Sequence, residues 1–264
     1  MNILRPFKTT KGSGARSLFN SSRMSLPRDI QEFLDEYRGQ TDDKSLNANL
    51  EFYSNTRRCR PDNLLIDEMH EKWFGDYDKL EHKHGFIQWL FPIREYGVNY
   101  EAQPLQPHEI EAMKADPATT ARLIKSYNMM LDFYGMRLIS EETGLLDRVP
   151  PPRNFEARYR NLVRHSHNNL RISRILKCLS ELGLERLNAG FLLHVLSEQS
   201  EEDELNTPML QSSMDRWWAN CIRCRRASMD NRADSQSEVR KGLVHARHVQ
   251  GGSGKEKGDR IVQL

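Results

Sequence analysis

The sequence has 264 residues, of which 29% are charged, and a formal net charge of +2. A balance this close to neutral gives no reason to expect a polyanionic partner, and a mean hydropathy of -0.74 favours a soluble protein. The longest apolar runs, 86–93 and 191–196, are far shorter than the roughly 20 residues of a membrane-spanning helix, which predicts no membrane insertion. The four cysteines are too scattered for a disulfide framework and favour a reducing compartment.

The distribution of apolar residues predicts one domain with a tail on each side. Residues 46–226 hold most of them and are predicted as a single helical domain. Residues 1–45 are predicted as a basic, largely disordered arm with one short helix, and 227–264 as a flexible tail. Residues 1–28 contain six basic residues and no acidic one, which fits a disordered arm or an organellar transit peptide. Targeting to mitochondria by residues 1–30 therefore stays open.

The first half of the chain predicts short helices between polar turns. Ser25 is a candidate cap for the helix of the arm, whose apolar residues at helical spacing are Ile30, Phe33, Leu34 and Tyr37. The turn at 61–63 leads into a second helix that Gly75 ends, with its apolar face at Leu65, Ile66, Met69 and Trp73. A further helix is predicted from Asp78 to Phe91, with Gly85 as a candidate interruption. Its last six residues are the densest apolar block of the chain and are predicted to be buried on nearly all sides.

The second half contains clearer helix boundaries. Pro107 predicts the start of a short helix over 107–115, and Asp116-Pro117 the start of a longer one that ends near Gly135. Residues 140–153 contain one glycine and three consecutive prolines, which predicts a stiff connector without regular structure. A helix is predicted around 155–162, another over 188–198, and a last one from Thr207-Pro208 with Trp217 facing inward.

Between these lies a predicted helix that ends at Gly183 and that Asn168 or Asn169 caps. Its predicted apolar side consists of Leu170, Ile172, Ile175, Leu176, Leu179 and Leu182. Its basic residues Arg171, Arg174 and Lys177 are predicted to lie on the outer side. Since no segment shows sustained alternation of apolar and polar residues, the prediction is a single irregular all-α domain of about seven to nine helices.

Two long stretches resemble a known family. The first reads Phe-Ile-Gln-Trp-Leu-Phe-Pro-Ile-Arg-Glu-Tyr-Gly-Val-Asn over 86–99. The second reads Arg-His-Ser-His-Asn-Asn-Leu-Arg-Ile-Ser-Arg-Ile-Leu-Lys over 164–177 and continues through 180–185. Phe52-Tyr53, Trp73 and residues 76–81 add shorter matches. Together these motifs resemble the conserved domain of the opioid growth factor receptor family.

The resemblance implies an all-helical protein that binds the pentapeptide Met-enkephalin and acts in growth regulation. It implies a short peptide as the partner, with other proteins as further partners, and a location at the nucleus and around it or in the cytoplasm. The family offers no catalytic motif, so no enzyme activity is expected, and neither a cofactor nor a metal ion is expected. A short basic cluster at 223–226 without neighbouring aromatic residues disfavours a nucleic-acid partner.

Candidate peptide-binding residues follow from their chemistry. Histidines and asparagines at the start of a helix act as caps or bind carboxylates there, because the first N–H groups of a helix attract anions. The residues of this kind are His165, His167, Asn168 and Asn169. Tyr96 and Tyr100, in the loop after the central apolar block, are candidates for contact with an aromatic peptide, and Arg94 is grouped with them.

Two other functional classes stay open. A helical interaction or scaffold module without a small ligand predicts an exposed apolar patch and no pocket. An uncharacterised enzyme or metalloprotein is a third hypothesis, for which Cys221-x-x-Cys224 supplies only half of a zinc site. A second group of candidate metal ligands consists of Glu68, His70, Glu71, His82 and His84. Their interspersed charges favour a solvent-exposed face instead.

Overall fold

A computed structural model describes residues 25–223 of the chain, so the predicted arm up to residue 24 and the predicted tail lie outside the described residues. Within this range the chain is mostly helical, as predicted, with eleven α-helices, more than the seven to nine expected. The first six are α1 (Arg28–Leu34), α2 (Ala48–Tyr53), α3 (Ile66–Trp73), α4 (Tyr77–His82), α5 (Ile87–Leu90) and α6 (Pro107–Ala115). The others are α7 (Pro117–Phe133), α8 (Phe155–Arg164), α9 (His167–Glu181), α10 (Glu185–Ser200) and α11 (Pro208–Arg216), followed by a 3₁₀ turn (Trp218–Asn220). No helix in this range is long and apolar enough to cross a membrane.

Local capping explains the boundaries that were predicted correctly. The Asp116 carboxylate accepts hydrogen bonds from the backbone N–H groups of Ala118 and Thr119, at 3.0 and 3.2 Å, and so begins α7. Thr207 caps α11 through Leu210 N–H in the same way. Ser25, by contrast, is not a cap, since α1 begins at Arg28 after Pro27.

The central apolar block is buried as predicted, but its helix is only the single turn α5. The predicted helix from Asp78 to Phe91 is divided into α4 and the single turn α5. Residues 83–86 between them pass close to Pro61, and a Cβ atom on Gly85 would lie 2.8 Å from Pro61 Cδ. This close approach needs glycine, and it places the Trp89 indole N–H 2.9 Å from the Arg60 carbonyl oxygen.

The connector predicted over 140–153 contains regular structure after all. β1 (Met136–Leu138) pairs antiparallel with β2 (Leu146–Arg148), with Met136 opposite Arg148. Strands of three residues are too short to show a period-two pattern, which is why the sequence did not reveal them. A Cβ atom on Gly190 of α10 would lie 1.7 Å from the Gly144 carbonyl oxygen, so two glycines let this hairpin rest on α10.

The orientation predicted for α9 was right for five of its six apolar residues, which are buried, but wrong for Leu170 and for two of the basic residues. Arg171 and Lys177 are only 5% and 2% exposed and face the interior, whereas Leu170, predicted as apolar core, is 72% exposed. Arg171 donates to the carbonyl oxygens of Leu80 at 2.8 Å and Lys83 at 2.7 Å, where α4 ends. These carbonyls have no partner within their own helix, so the buried guanidinium and the helix end satisfy each other.

Helix α1 belongs to the same core as the rest of the chain. Its Ile30 and Phe33 are fully buried, and the Arg223 guanidinium lies 3.9 Å from the Phe33 ring centroid. The Lys177 ammonium reaches Asp29 of this helix at 2.9 Å. Contacts from two later parts of the chain thus hold α1 against the core.

Candidate functional site

A groove of about 420 Å³ runs along the outer edge of α9. One wall is the segment from His84 to Val98, and the other consists of α9 with Trp217 at the end of α11 and Asp29 of α1. A volume of this size lies in the range of pockets that bind small molecules and short peptides. Arg174 and Lys177, which were predicted to lie on the outer side of α9, form the charged floor of this groove.

The upper walls of the groove are apolar and exposed. Leu170, Tyr96 and Val98 are 72%, 82% and 90% exposed, although all three carry large apolar side chains. Gly97 lets the loop turn tightly, because a Cβ atom there would lie 2.6 Å from Gln88 Cγ. Large apolar side chains exposed together around a groove are typical of a surface that binds a partner.

Arg174 supplies a cation in the floor. Its Nε atom donates to the Phe91 carbonyl oxygen at 2.8 Å, and among the described residues its two Nη atoms have no hydrogen-bond or ion-pair partner. Burial lowers the pKa of this guanidinium to about 10, which leaves it protonated at neutral pH. The floor therefore offers an anion a charged fork with two unused nitrogen atoms.

One turn further along α9, Lys177 faces two carboxylates. The Lys177 ammonium lies 2.9 Å from Asp29 Oδ2 and 2.7 Å from Glu95 Oε1. Tyr37 also donates its hydroxyl to Glu95, at 2.6 Å, and burial together with that carboxylate raises its pKa. Two carboxylates therefore flank this ammonium, and Glu95 also attracts the Arg174 guanidinium.

A third polar cluster adjoins the groove and consists of Glu81, His165 and His167. Glu81 Oε1 lies 2.7 Å from His167 Nε2 and 3.6 Å from His165 Nδ1. The other carboxylate oxygen accepts from the side-chain amides of Asn161 at 2.6 Å and Asn168 at 3.3 Å. Among the described residues, these two histidines and the glutamate form the group whose donor atoms are close enough to hold a metal ion.

The seven residues predicted to bind a peptide do not form one site. His167 and Tyr96 both line the groove, and His165 lies beside His167 in the adjoining cluster. Tyr100 is exposed but lies outside the lining, and Arg94 instead donates to the Glu36 carbonyl oxygen at 3.1 Å.

Asn168 and Asn169 are buried and are not caps. Helix α9 begins at His167, and Ser166 occupies the cap position without a side-chain hydrogen bond. Asn168 instead accepts from Arg171 at 3.2 Å and donates to Glu81. The prediction that either asparagine caps α9 was therefore wrong, because both lie within the first turn of the helix and the Asn168 side chain binds Glu81 of α4. Their part in peptide binding stays a prediction.

Sequence reasoning missed several residues of these sites. Leu170 and Arg174 were assigned to the wrong sides of α9, and Trp217, predicted to face inward, is half-buried and lines the groove. Glu81 was counted only among the charges of a solvent-exposed face and Asn161 was not considered, since nothing in their local sequence distinguishes them from other surface polar residues. Only the packing of α4 against α8 and α9 brings them to the histidines.

Of the metal-ligand sets considered from sequence, the one with His70, His82 and His84 is not assembled among the described residues, and the cysteine pair is not tested. Cys221 is fully buried, and its proposed partner Cys224 lies outside the described residues. His70, expected on a solvent-exposed face, instead packs against α7 with its Nε2 atom 2.8 Å from Ser126 Oγ. Burial lowers the pKa of His70 to about 4, so the ring is neutral at pH 7.

Comparison with known proteins gives a consistent family. A family model described as the opioid growth factor receptor conserved region matches residues 42–242. The opioid growth factor receptor of Mus musculus is 40% identical over 80% of this chain and 34% of its own length. That of Homo sapiens is 43% identical over 67% of this chain and 25% of its own length.

A second group of relatives matches to the same degree. Opioid growth factor receptor-like protein 1 of Mus musculus is 39% identical over 75% of this chain and 42% of its own length. This chain thus spans between a quarter and about two fifths of these relatives. No solved structure matches. The family model and the relatives agree with the two motifs at 86–99 and 164–177, and the chain belongs to the opioid growth factor receptor family.

Proposed function

We propose that this protein binds a short peptide of the opioid type, such as Met-enkephalin, in the groove between α9 and the loop 93–98. Membership of a family named for a peptide receptor supports the proposal. The observation that carries it is the arrangement of the groove, with exposed apolar walls, a guanidinium in the floor and the carboxylates of Asp29 and Glu95 in the lining. These are the three features that a small amphipathic peptide with free termini requires.

Arg174 is the group proposed to bind the peptide carboxylate. Its two Nη atoms are held at a fixed position by the Nε hydrogen bond to Phe91, so they lose little freedom when an anion binds. A guanidinium binds a carboxylate through two parallel hydrogen bonds, which also fixes the direction of the peptide. Asp29 and Glu95 then lie where the amino terminus of a peptide is attracted.

The aromatic side chains of the peptide are proposed to pack against Tyr96, Val98 and Leu170. These side chains are exposed in the free protein. A peptide that covers them therefore gains a favourable binding free energy of about 25 cal/mol for each Å² of apolar surface removed from water. A peptide too large for a groove of about 420 Å³ would extend beyond its ends. The proposal is therefore limited to peptides of a few residues.

The test is calorimetric titration of the full chain with Met-enkephalin in buffer that contains a chelator. Loss of the Tyr96 ring in Tyr96→Ala is expected to weaken binding about tenfold, the typical effect of removing one aromatic contact of an interface. Leu170→Glu is expected to abolish binding, because it places a carboxylate on an apolar wall. A scrambled peptide should give no heat.

Matched controls exist for both variants. Tyr100→Ala removes an equally exposed tyrosine of the same loop region that does not line the groove, and Leu193→Glu changes an exposed leucine of α10. Both controls should bind like the unmodified chain. Equal losses in Tyr96→Ala and Tyr100→Ala, or no heat from a folded chain, would refute the groove as the peptide site.

An interaction module without a small ligand is the second function to consider. The observation in its favour is the patch formed by Tyr96, Val98 and Tyr100, three large exposed apolar side chains within five residues of sequence. If a protein partner covers this patch, Tyr96→Ala and Tyr100→Ala should weaken its binding together. The two functions thus differ in the behaviour of Tyr100.

The proposed place of action is the nucleus and its surroundings or the cytoplasm, with a role in growth regulation, in keeping with the peptide-receptor proposal. The basic bias of residues 1–28 supports mitochondrial targeting as the alternative. A fluorescent reporter fused to residues 1–30 should remain outside mitochondria. Import of that reporter into mitochondria would show that residues 1–30 act as a transit peptide.

A further inference from the structure

We propose that Glu81, His165 and His167 form a binding site for a divalent transition metal, with zinc as the ion that fits best. The three donor atoms lie within 4.8 Å of one another, and no peptide ligand is required to bring them together. Carboxylate oxygen and imidazole nitrogen are common zinc ligands, and a site with three protein ligands leaves a fourth position for water. The proposal does not rest on the peptide-binding function.

The distances between the donors suit such an ion. Two atoms that are each about 2.1 Å from a tetrahedral ion lie about 3.4 Å apart. Glu81 Oε1 is 2.7 Å from His167 Nε2 and 3.6 Å from His165 Nδ1, which brackets this value. Small rotations of the side chains would place all three donors around one ion.

The hydrogen bonds of the cluster leave the metal-facing atoms unused. Glu81 Oε1 and His167 Nε2 are buried, and despite their short separation neither makes a well-aligned hydrogen bond with any described residue. A buried carboxylate oxygen without such a bond is costly, and a bound cation would remove this cost. The two unsatisfied atoms face each other, so one ion satisfies both.

Asn161 and Asn168 orient the carboxylate. Their amide groups hold Oε2 at 2.6 and 3.3 Å, which turns Oε1 toward the histidines. Hydrogen bonds of this kind to the second oxygen of a metal-binding carboxylate are typical of zinc sites. Neither Arg nor Lys among the described residues forms an ion pair with Glu81, so no protein cation occupies the position that the metal would take.

The protonation states also agree with metal binding. Burial opposes the ionisation of Glu81, but the two amide hydrogen bonds and the nearby histidines outweigh it and hold its pKa below the ordinary value. Burial lowers the pKa of His167; the Glu81 carboxylate opposes this effect, and the smaller contribution of Arg171 adds to it. At neutral pH the glutamate is ionised and His167 is neutral, the forms that bind metals.

The outer side of the cluster is open. His165 and His167 have 46% and 38% of their side chains exposed, which gives an ion a route from solvent and leaves room for a water ligand. His84 packs edge-on against His167 with 5.4 Å between ring centroids, and its Nδ1 atom accepts from Arg171 at 3.0 Å. His84 thus supports the position of His167 and is not proposed as a ligand.

The test is titration of the full, chelator-treated chain with zinc chloride, followed by calorimetry. One zinc ion per chain is expected. His165→Ala should abolish saturable binding at this site, and Asn161→Ala should weaken it by roughly 10- to 100-fold, the usual effect of losing such a supporting hydrogen bond. His165 is exposed, so its variant should fold, and circular dichroism checks this.

His82→Ala is the matched control, since His82 is adjacent to Glu81 in sequence but bonds to the Asp78 carbonyl oxygen and does not face the cluster. It should bind zinc like the unmodified chain. X-ray absorption of the zinc complex should show nitrogen and oxygen ligands without sulfur, which separates this site from one that uses Cys221. Absence of zinc binding, binding that survives His165→Ala, or a sulfur ligand would overturn the proposal.

Discussion

Two buried glutamates with histidine neighbours are satisfied in different ways. Glu198 of α10 lies beside His194, and Glu81 of α4 lies beside His165 and His167. In both clusters an imidazole nitrogen lies within 4 Å of a carboxylate that is mostly hidden from water. The nature of the remaining partners decides what each cluster can do.

Glu198 forms an ion pair with Arg148. The Arg148 guanidinium donates to both of its oxygens, at 2.8 and 2.6 Å, and Tyr159 donates its hydroxyl at 3.0 Å. Charge and hydrogen bonds are therefore satisfied within the protein. The Arg148 side chain comes from β2, so the cluster joins the hairpin to α10.

The side chain of Glu81 accepts hydrogen bonds only from two neutral amide groups. Asn161 and Asn168 satisfy one oxygen, and the other faces two imidazole nitrogens without a well-aligned hydrogen bond. The same residue types thus form a structural ion pair in one place and an open set of metal ligands in the other. The presence of a fixed cation, and not the His–Glu pair itself, distinguishes a structural cluster from a binding site.

The largest effect is expected from removing that fixed cation. Arg148→Met leaves Glu198 buried without its positive partner, and the free energy of unfolding should fall by about 3 kcal/mol, the cost of breaking a buried ion pair. Urea denaturation measures this.

The exposed pair Arg137–Asp147 in the same hairpin provides the control for Arg148→Met. Arg137→Met should change stability by less than about 1 kcal/mol, as exposed ion pairs contribute little. If Arg148→Met costs no more than this control, Glu198 does not depend on its arginine and the contrast with Glu81 fails.

The histidines should give a smaller, pH-dependent difference. Burial lowers the pKa of both His194 and His167 below 6.5. As pH falls below 6.5, the unfolded chain takes up protons that these folded side chains resist, so stability is fully present above that pH and lost below it. His194 has 9% of its side chain exposed and His167 38%, so His194→Gln should flatten this loss more than His167→Gln.

Thermal unfolding between pH 7 and pH 5 measures the loss in each variant. The chelator must be present, so that metal binding does not contribute. Equal flattening by the two variants would mean that burial does not set the difference between the clusters.

The smallest effect is expected at Glu81 itself. In Glu81→Gln, the side-chain oxygen can still accept from Asn161 and Asn168, and the hydrogen bonds of the buried Arg171 guanidinium to Leu80, Lys83 and Asn168 remain. Without metal, the free energy of unfolding should change by less than about 1 kcal/mol, the scale of one ordinary hydrogen bond. With zinc present, the unmodified chain should gain thermal stability that Glu81→Gln does not. A loss of several kcal/mol without metal would show that Glu81 is a structural residue like Glu198.

Much of the helical organisation was predictable because its signals are local. The start of α7 at Asp116-Pro117 depends on a cap and a proline that are adjacent in sequence. The start of α6 at Pro107 has the same basis, and the burial of the block 86–91 follows from its composition. The hairpin was not predictable, since it depends on the close contact of Gly144 with the backbone of α10, whereas Gly85 had marked the division between α4 and α5 as a candidate interruption.

The sites were predictable only in part. His167 and Tyr96 were selected from sequence and do line the groove, but Glu81 and Arg174 were not. The error on α9 has a clear physical cause. A lysine or arginine is expected at the surface unless a partner compensates its charge, and the partners of Lys177 are Asp29 and Glu95, 148 and 82 positions away.

By itself the sequence determined the family, the helical class and most helix starts, because motifs, caps and apolar composition act over a few residues. Only the tertiary structure decided which polar residues meet. Asn161 lies 80 positions from Glu81, and His167 lies on a different helix from both. Whether a carboxylate meets an arginine or two imidazoles depends on how the helices pack. This packing pairs Glu198 with Arg148 and leaves one carboxylate oxygen of Glu81 without a well-aligned hydrogen bond.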